Sequence, residues 1–105
     1  MEMKIVWTNF AKNELRKIFL YYNEAAGTSL ARKLVNKIIQ NTLVLQSQPG
    51  IGQVEKLLLI SERNFHYLVV SNYKIIYVIN QTKDQVEILD IFDTRQNPDK
   101  LERNY

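Results

Sequence analysis

In the first half of the chain, apolar residues recur with the period of a helix. The first such stretch predicts a helix near residues 9–25, with Thr8 as its N-cap and Gly27 at its end. Its apolar face consists of Ala11, Leu15, Ile18, Phe19 and Tyr22. A helix with one apolar face requires a larger apolar surface to pack on.

A second helical pattern follows directly. It predicts a helix near residues 29–47, capped by Thr28 or Ser29 and stopped by Pro49. Its apolar face consists of Ala31, Leu34, Val35, Ile38, Thr42 and Leu45. Because the loop between the two helices is short and contains glycine, we expect an antiparallel helical hairpin.

The other apolar stretches have the short, β-branched character of strands. Residues 4–7 predict a first strand, and residues 65–70, 73–79 and 86–92 predict three more. Ser71-Asn72 lies between two of these strands as a candidate hairpin turn. The order of elements indicates an α+β fold, in which a helical hairpin packs on an antiparallel sheet of three to four or more strands.

These predicted strands are apolar on both faces. Strict alternation separates one face, formed by Tyr73, Ile75, Tyr77 and Ile79, from the other, formed by Ile76 and Val78. In the last strand it separates Val86, Ile88 and Phe92 from Leu89 and Ile91. Two helices can cover only one face of the sheet, so either the C-terminal tail or a partner must cover the other.

Length and composition exclude several classes of protein. The 105 residues, 46% of them hydrophobic, suit one domain spanning residues 1–105. The absence of cysteine excludes disulfides and thiolate chemistry, and a single histidine, His66, argues against a multi-histidine metal site or a Ser-His-Asp triad. No apolar run approaches the length of a spanning helix, so we expect a cytoplasmic protein without membrane association. We also expect no bound metal and no cofactor.

The net charge of +3 originates in the N-terminal half of the chain. Residues 1–54 hold seven basic and three acidic residues, a balance of +4, whereas residues 55–105 hold seven and eight. Five of these basic residues lie on the predicted helices: Lys12, Arg16, Arg32, Lys33 and Lys37. They could meet nucleic acid or an acidic protein, although a solvated helix face accounts for them equally well.

Three stretches carry a resemblance to a known family. They are the helical stretch from Ala11 to Tyr22, Arg63 followed by the segment from Ser71 to Tyr77, and the final stretch from Val86 to Pro98. In this order and spacing the sequence resembles the toxins of the ParE/RelE superfamily of bacterial type II toxin–antitoxin systems. The resemblance implies a compact α+β toxin and a cognate antitoxin that wraps it with a segment folding on binding. We also expect that the toxin can form a homodimer when the antitoxin is absent.

Two activities divide that superfamily. RelE-like members cleave mRNA in the ribosome with arginines, lysines and often a C-terminal tyrosine or histidine, whereas ParE-like members are thought to poison DNA gyrase. Here Arg95 matches the arginine shared by both branches, but Asp93 occupies the position of a frequent histidine, and Val69 that of a second arginine. Leu101 stands near the position of the catalytic tyrosine, with Tyr105 close by. The resemblance therefore favours the ParE-like branch, with a non-enzymatic toxin as the expectation and a ribosome-dependent endoribonuclease or an inactive member as alternatives.

The candidate site residues follow from this comparison. For target or partner binding they are Arg63, Tyr73, Lys74 and Arg95. If the protein cleaves RNA, Asp93 or Glu62 would act as the base. The cations that would stabilise the phosphorane are Arg63, Lys74 and Arg95. The alternative for Arg95 is a structural ion pair with Asp90 or Asp93.

Overall fold

The computed structural model describes residues 2–54 and 65–95. Its elements in chain order are β1 (Lys4–Trp7), α1 (Asn9–Ala26), α2 (Thr28–Thr42), 3₁₀ helices at Leu43–Gln46 and Pro49–Ile51, β2 (Gln53–Val54), β3 (His66–Val70), β4 (Tyr73–Asn80) and β5 (Gln85–Asp93). The predicted α+β fold is confirmed. The second helix is shorter than predicted, because its last turn tightens into the first 3₁₀ helix after Thr42.

The junctions around α1 show which caps the sequence predicts and which it does not. The Thr8 hydroxyl oxygen accepts a hydrogen bond from the Ala11 N–H at 3.1 Å, so the predicted N-cap is confirmed. Gly27, with φ of +97°, ends α1 and also precedes the first residue of α2. The prediction that Thr28 or Ser29 caps α2 is wrong, because Thr28 is already helical and its hydroxyl bonds the Asn23 Oδ1 atom at 2.6 Å.

The five strands form one sheet in the order β1-β5-β4-β3-β2. The pairs from β2 to β5 are antiparallel, as predicted, and β1 is added in parallel to β5. The predicted turn at Ser71-Asn72 joins β3 to β4. Ser71 has a φ of +55° whereas Asn72 does not have a positive φ, so the turn is not of type I′.

A β-bulge interrupts the alternation of β5. Ile76 pairs with Asp90 and Tyr77 pairs with Ile88, which leaves Leu89 as the extra residue. Beyond the bulge, Ile91 belongs to the core under the helices and Phe92 belongs to the opposite face. The faces that strict alternation predicts for these two residues are therefore wrong.

Each face of the sheet has its own apolar core. The core under the helices includes Ala11, Ile18, Ile38, Leu45, Ile75, Tyr77, Val86, Ile88 and Ile91. The core on the second face consists of Phe65, Ile76, Val78, Leu89 and Phe92, none of them more than 6% exposed. These five side chains are thus buried within the single chain.

One buried hydroxyl fastens the sheet to the segment that follows the helices. Tyr77 is fully buried, and its hydroxyl donates to the Pro49 carbonyl oxygen at 2.8 Å and accepts from the Gly52 N–H at 3.0 Å. A Cβ at Gly52 would collide with this hydroxyl and with the Tyr67 carbonyl oxygen, so only glycine fits there. The His66 ring stacks on the Tyr77 ring with centroids 5.5 Å apart, which places the chain's single histidine in a packing role.

We predict that Tyr77→Phe lowers the free energy of unfolding by about 1–3 kcal/mol, because it leaves two backbone groups without their partner. Urea unfolding measures this change. The matched control is Tyr67→Phe, which removes an exposed bond to the Gln53 Oε1 atom and should change stability by less than about 1 kcal/mol. Equal effects of the two variants would contradict the assigned role of Tyr77.

Candidate functional site

The end of β5 meets α1 and the β3–β4 turn at one corner of the molecule. Tyr73 and Asp93 face each other across β4 and β5. Thr94 secures the strand end, because its N–H and its hydroxyl both donate to the Asn72 carbonyl oxygen, at 2.7 and 2.8 Å. These two hydrogen bonds fix the backbone from which Arg95 projects.

Arg95 and Asp93 form a bidentate ion pair. The Arg95 Nε and Nη2 atoms donate to the two carboxylate oxygens at 3.0 and 2.8 Å, and the Arg95 backbone N–H donates at 2.9 Å. These bonds lower the pKa of Asp93 and raise that of Arg95. The Asp93 side chain is 19% exposed and that of Arg95 is 60% exposed, so the guanidinium is held in place but remains open to a partner.

Two tyrosines extend this pair into the protein. Tyr22 lies close enough to both Arg95 and Tyr73 to raise the pKa of each. Burial, and then the neighbouring Tyr22 side chain, raises the pKa of Tyr73. Tyr73 is only 4% exposed, so its ring belongs to the core and only its polar edge reaches the corner.

A cleft of about 350 Å³ opens in front of this cluster. Glu14, Lys17 and Tyr21 of α1 form one wall and Arg95 contributes to the other. Lys17 Nζ lies 3.5 Å from the Glu14 carboxylate, and Tyr21 is 65% exposed. Sequence reasoning missed these three α1 residues, although their spacing of three and four places them on one side of the helix.

The other candidate residues lie elsewhere. Lys74 pairs with Phe92 and therefore points to the second face of the sheet, where its Nζ atom lies 4.3 Å from the centroid of the Tyr67 ring. Val69, on the same face, is 60% exposed. Arg63, Glu62, Leu101 and Tyr105 lie outside the described residues. The structure thus brings together Tyr73, Asp93 and Arg95 and separates Lys74 from them.

The chemistry available at this corner is electrostatic. Asp93, with its lowered pKa and its arginine partner, is a weak base at neutral pH, and Tyr73, with its raised pKa, is a weak acid. Within residues 2–54 and 65–95, no group of three or more acidic or histidine side chains could hold a metal ion. The exposed arginine is suited to an acidic or hydrogen-bond-accepting surface of a partner.

A second concave surface lies on the opposite flank of α1. This apolar groove, of about 440 Å³, is lined by Trp7, Leu15, Phe19, Val35 and Ile39, with Lys12 and Arg16 beside them. Each of its five apolar side chains is partly exposed. The groove is an apolar surface that the helices themselves leave open.

Comparison with known proteins identifies the family. A family model described as ParE toxin of the type II toxin–antitoxin system parDE matches residues 5–98. In fold, the chain is similar to a protein of the chromosomal ParDE toxin–antitoxin system of P. aeruginosa, with 22% identity and a TM-score of 0.71 over 88% of this chain and 96% of that one. It is also similar to a chain of the RelBE2 toxin–antitoxin complex of Mycobacterium tuberculosis, with 14% identity and a TM-score of 0.64 over 89% of this chain and 99% of that one. A search of curated proteins found no significant match. Neither α1 nor α2 is long and apolar enough to cross a membrane.

The Asp93–Arg95 pair predicts a pH-dependent contribution to stability. Because the folded-state pKa of Asp93 lies below its ordinary value of 3.8, the pair stabilises the fold above that value and loses its effect as the pH falls through the folded-state pKa. Asp93→Asn should therefore melt below wild type at about pH 7, and the difference should shrink as the pH falls low enough to protonate Asp93 in the folded wild type. Arg95→Ala should abolish the same part of the pH profile, and a melting difference that stays constant with pH would contradict the assignment.

Proposed function

The chain belongs to the ParE toxin family of type II toxin–antitoxin systems, and we propose that it arrests growth by binding a cellular target through the corner around Arg95. DNA gyrase is the target proposed. The observation that carries this proposal is the exposed guanidinium of Arg95, held by two bonds to Asp93. A fixed cation at a corner can bind a protein surface without any hydrolytic chemistry.

The arrangement of the remaining groups favours binding over RNA cleavage. General acid–base catalysis needs a base and an acid whose pKa values lie near the working pH. Asp93 and Tyr73 are both shifted away from that range. Lys74, a cation that a ribonuclease would place beside the scissile phosphate, lies on the other face of the sheet.

A cognate antitoxin is the second partner proposed, and the apolar groove is its docking surface. An amphipathic segment that folds on binding can bury its apolar side against Trp7, Leu15 and Phe19. Lys12 and Arg16 at the edge of the groove favour acidic residues beside those apolar ones. Without the antitoxin, the same exposed groove favours self-association, including the homodimer expected from the sequence.

Arg95→Ala is the direct test of the corner. We expect it to relieve growth arrest and to weaken target binding at least tenfold in a pull-down titration with gyrase, because a positioned arginine at the centre of an interface is a typical hot spot. Antitoxin binding should remain as in wild type. The matched control is Lys83→Ala, which removes an exposed cation from the turn at the other end of β5 and should leave the arrest intact.

Purified protein should be assayed in parallel for inhibition of gyrase supercoiling and for cleavage of mRNA on programmed ribosomes. Inhibition of supercoiling that is lost in Arg95→Ala supports the proposal. Codon-dependent mRNA cleavage that is lost in Arg95→Ala would overturn it in favour of the endoribonuclease. Loss of arrest together with loss of folding, seen by circular dichroism, would show that Arg95 serves only the structural ion pair.

Arg16→Glu tests the docking groove. We expect roughly three- to tenfold weaker binding of the antitoxin encoded by the neighbouring reading frame, with the difference shrinking at high salt, because the change reverses a charge at the edge of the interface. Growth arrest in the absence of antitoxin should persist. The matched control is Lys33→Glu, an exposed charge reversal on α2 away from the groove lining. Equal weakening by the two variants would show a general charge effect and contradict docking in the groove.

A further inference from the structure

The cleft in front of Arg95 is lined by two ion pairs, and the two pairs are arranged alike. On the α1 side, Lys17 Nζ lies 3.5 Å from Glu14 Oε1, and the Lys17 side chain is 73% exposed whereas that of Glu14 is 15% exposed. At the end of β5, Arg95 is likewise the exposed member of its pair and Asp93 the recessed one. The cleft therefore presents two positive charges to solvent, one from the helix and one from the strand end.

Apolar surface lies next to these two cations. The side chains of Ile18, Tyr73 and Ile91 line the cleft and are buried. The exposed Tyr21 ring lines it too, and it meets the partly buried Tyr22 ring edge to face, with centroids 5.1 Å apart and planes at 85°. An aromatic side chain that is already restrained loses little conformational entropy when a partner packs on it.

The charges of the cleft favour one carboxylate over a run of phosphates. Each of the two pairs holds one positive and one negative charge, so the four side chains together have no net charge at neutral pH. An acidic side chain that enters the cleft meets the exposed cations at closer range than the recessed carboxylates, and is attracted. Nucleic acid binds through many phosphate contacts, which two half-neutralised cations do not supply.

We propose that this cleft binds an acidic segment of the toxin's protein target, with one Asp or Glu carboxylate held by Lys17 and Arg95 and an adjacent apolar side chain packed on Tyr21. The assignment rests on the proposed function of Arg95. It makes Lys17 a second target-binding cation, contributed by α1. Because an exposed lysine–carboxylate pair contributes little to stability, Lys17 can turn from Glu14 to the target at small cost.

Substitutions of Lys17 test the proposal, with gyrase affinity measured in the absence of DNA. Lys17→Ala should weaken binding roughly three- to tenfold and Lys17→Glu more than tenfold, with both losses shrinking at high salt. The matched control is Lys33→Glu, which makes the same change of net charge at an exposed position of α2 outside the cleft and should bind as wild type does. Thermal unfolding verifies that the three variants fold.

A zero-length crosslink identifies the group that Lys17 meets. A carbodiimide activates a carboxylate, and the lysine amine then displaces the activating group as a urea and forms an amide. The toxin variant Glu14→Gln is used for this step, because it removes the carboxylate that lies 3.5 Å from the Lys17 amine. Mass spectrometry should locate the crosslink between Lys17 and an Asp or Glu of gyrase. Adding Lys17→Arg to this variant keeps the positive charge but removes the amine, so binding should persist without the crosslink.

Two results would overturn the proposal. Unchanged gyrase affinity in Lys17→Glu would show that the cleft lies outside the interface. A loss of affinity that appears only when gyrase carries DNA, without a crosslink to a carboxylate, would show that Lys17 meets phosphate.

Failure of this proposal can be told apart from failure of the proposed function. If Arg95→Ala loses gyrase binding and Lys17→Glu retains it, the proposed function stands and the acidic segment is wrong. If wild type does not bind gyrase, the target is wrong, and growth arrest then decides about the cleft. Arrest relieved by Lys17→Glu but not by Lys33→Glu supports an acidic segment on another target, whereas arrest that persists in Lys17→Glu overturns it.

Discussion

The extra residue in β5 determines which side of the sheet the end of that strand faces. Before the bulge, Val86 and Ile88 point toward the helices, and after it Ile91 does so too. With unbroken alternation, Asp93 would lie on the second face with Lys74, remote from α1. Because Leu89 shifts the alternation by one position, Asp93 faces the helix side opposite Tyr73, and Arg95 follows within reach of Tyr22. The whole candidate site depends on this single insertion.

Much of the fold could be predicted because its signals are local. Helical periodicity gave both helices, the Thr8 cap has a clear sequence signal, and Ser71-Asn72 marked the hairpin. The features of the fold that could not be predicted also have physical reasons. A bulge has no signal in a strand that is apolar on both faces, and β1 pairs with a strand some eighty residues away, beyond the range of any local pattern. One glycine served both α1 and α2, so the threonine after it was not needed as a cap.

The site was predictable only in part. An ion pair between Arg95 and Asp93 was among the alternatives, because residues two apart at a strand end share a face. Tyr22 carried a misleading signal, since it continues the apolar stripe of α1 and its ring does pack against the core. Its polar end lies near Arg95, and no spacing rule distinguishes the two ends of a tyrosine. Lys74 looked like part of the site because it is close in sequence, yet it lies on the other face of the sheet.

The parallel pairing of β1 with β5 has a consequence for the order of folding. Thr8 bonds the Ile88 carbonyl oxygen through both its N–H, at 3.0 Å, and its hydroxyl, at 3.1 Å, and so ties the start of α1 to the last described strand. Closing a loop of this length has a large entropic cost. We therefore expect this contact to form late, after the rest of the sheet is largely assembled. During synthesis, β1 cannot pair with β5 until β5 has emerged from the ribosome. The corner at the end of β5 is then among the last parts of the molecule to fold. A nascent chain therefore contains most of the toxin sequence well before it presents the binding surface around Arg95.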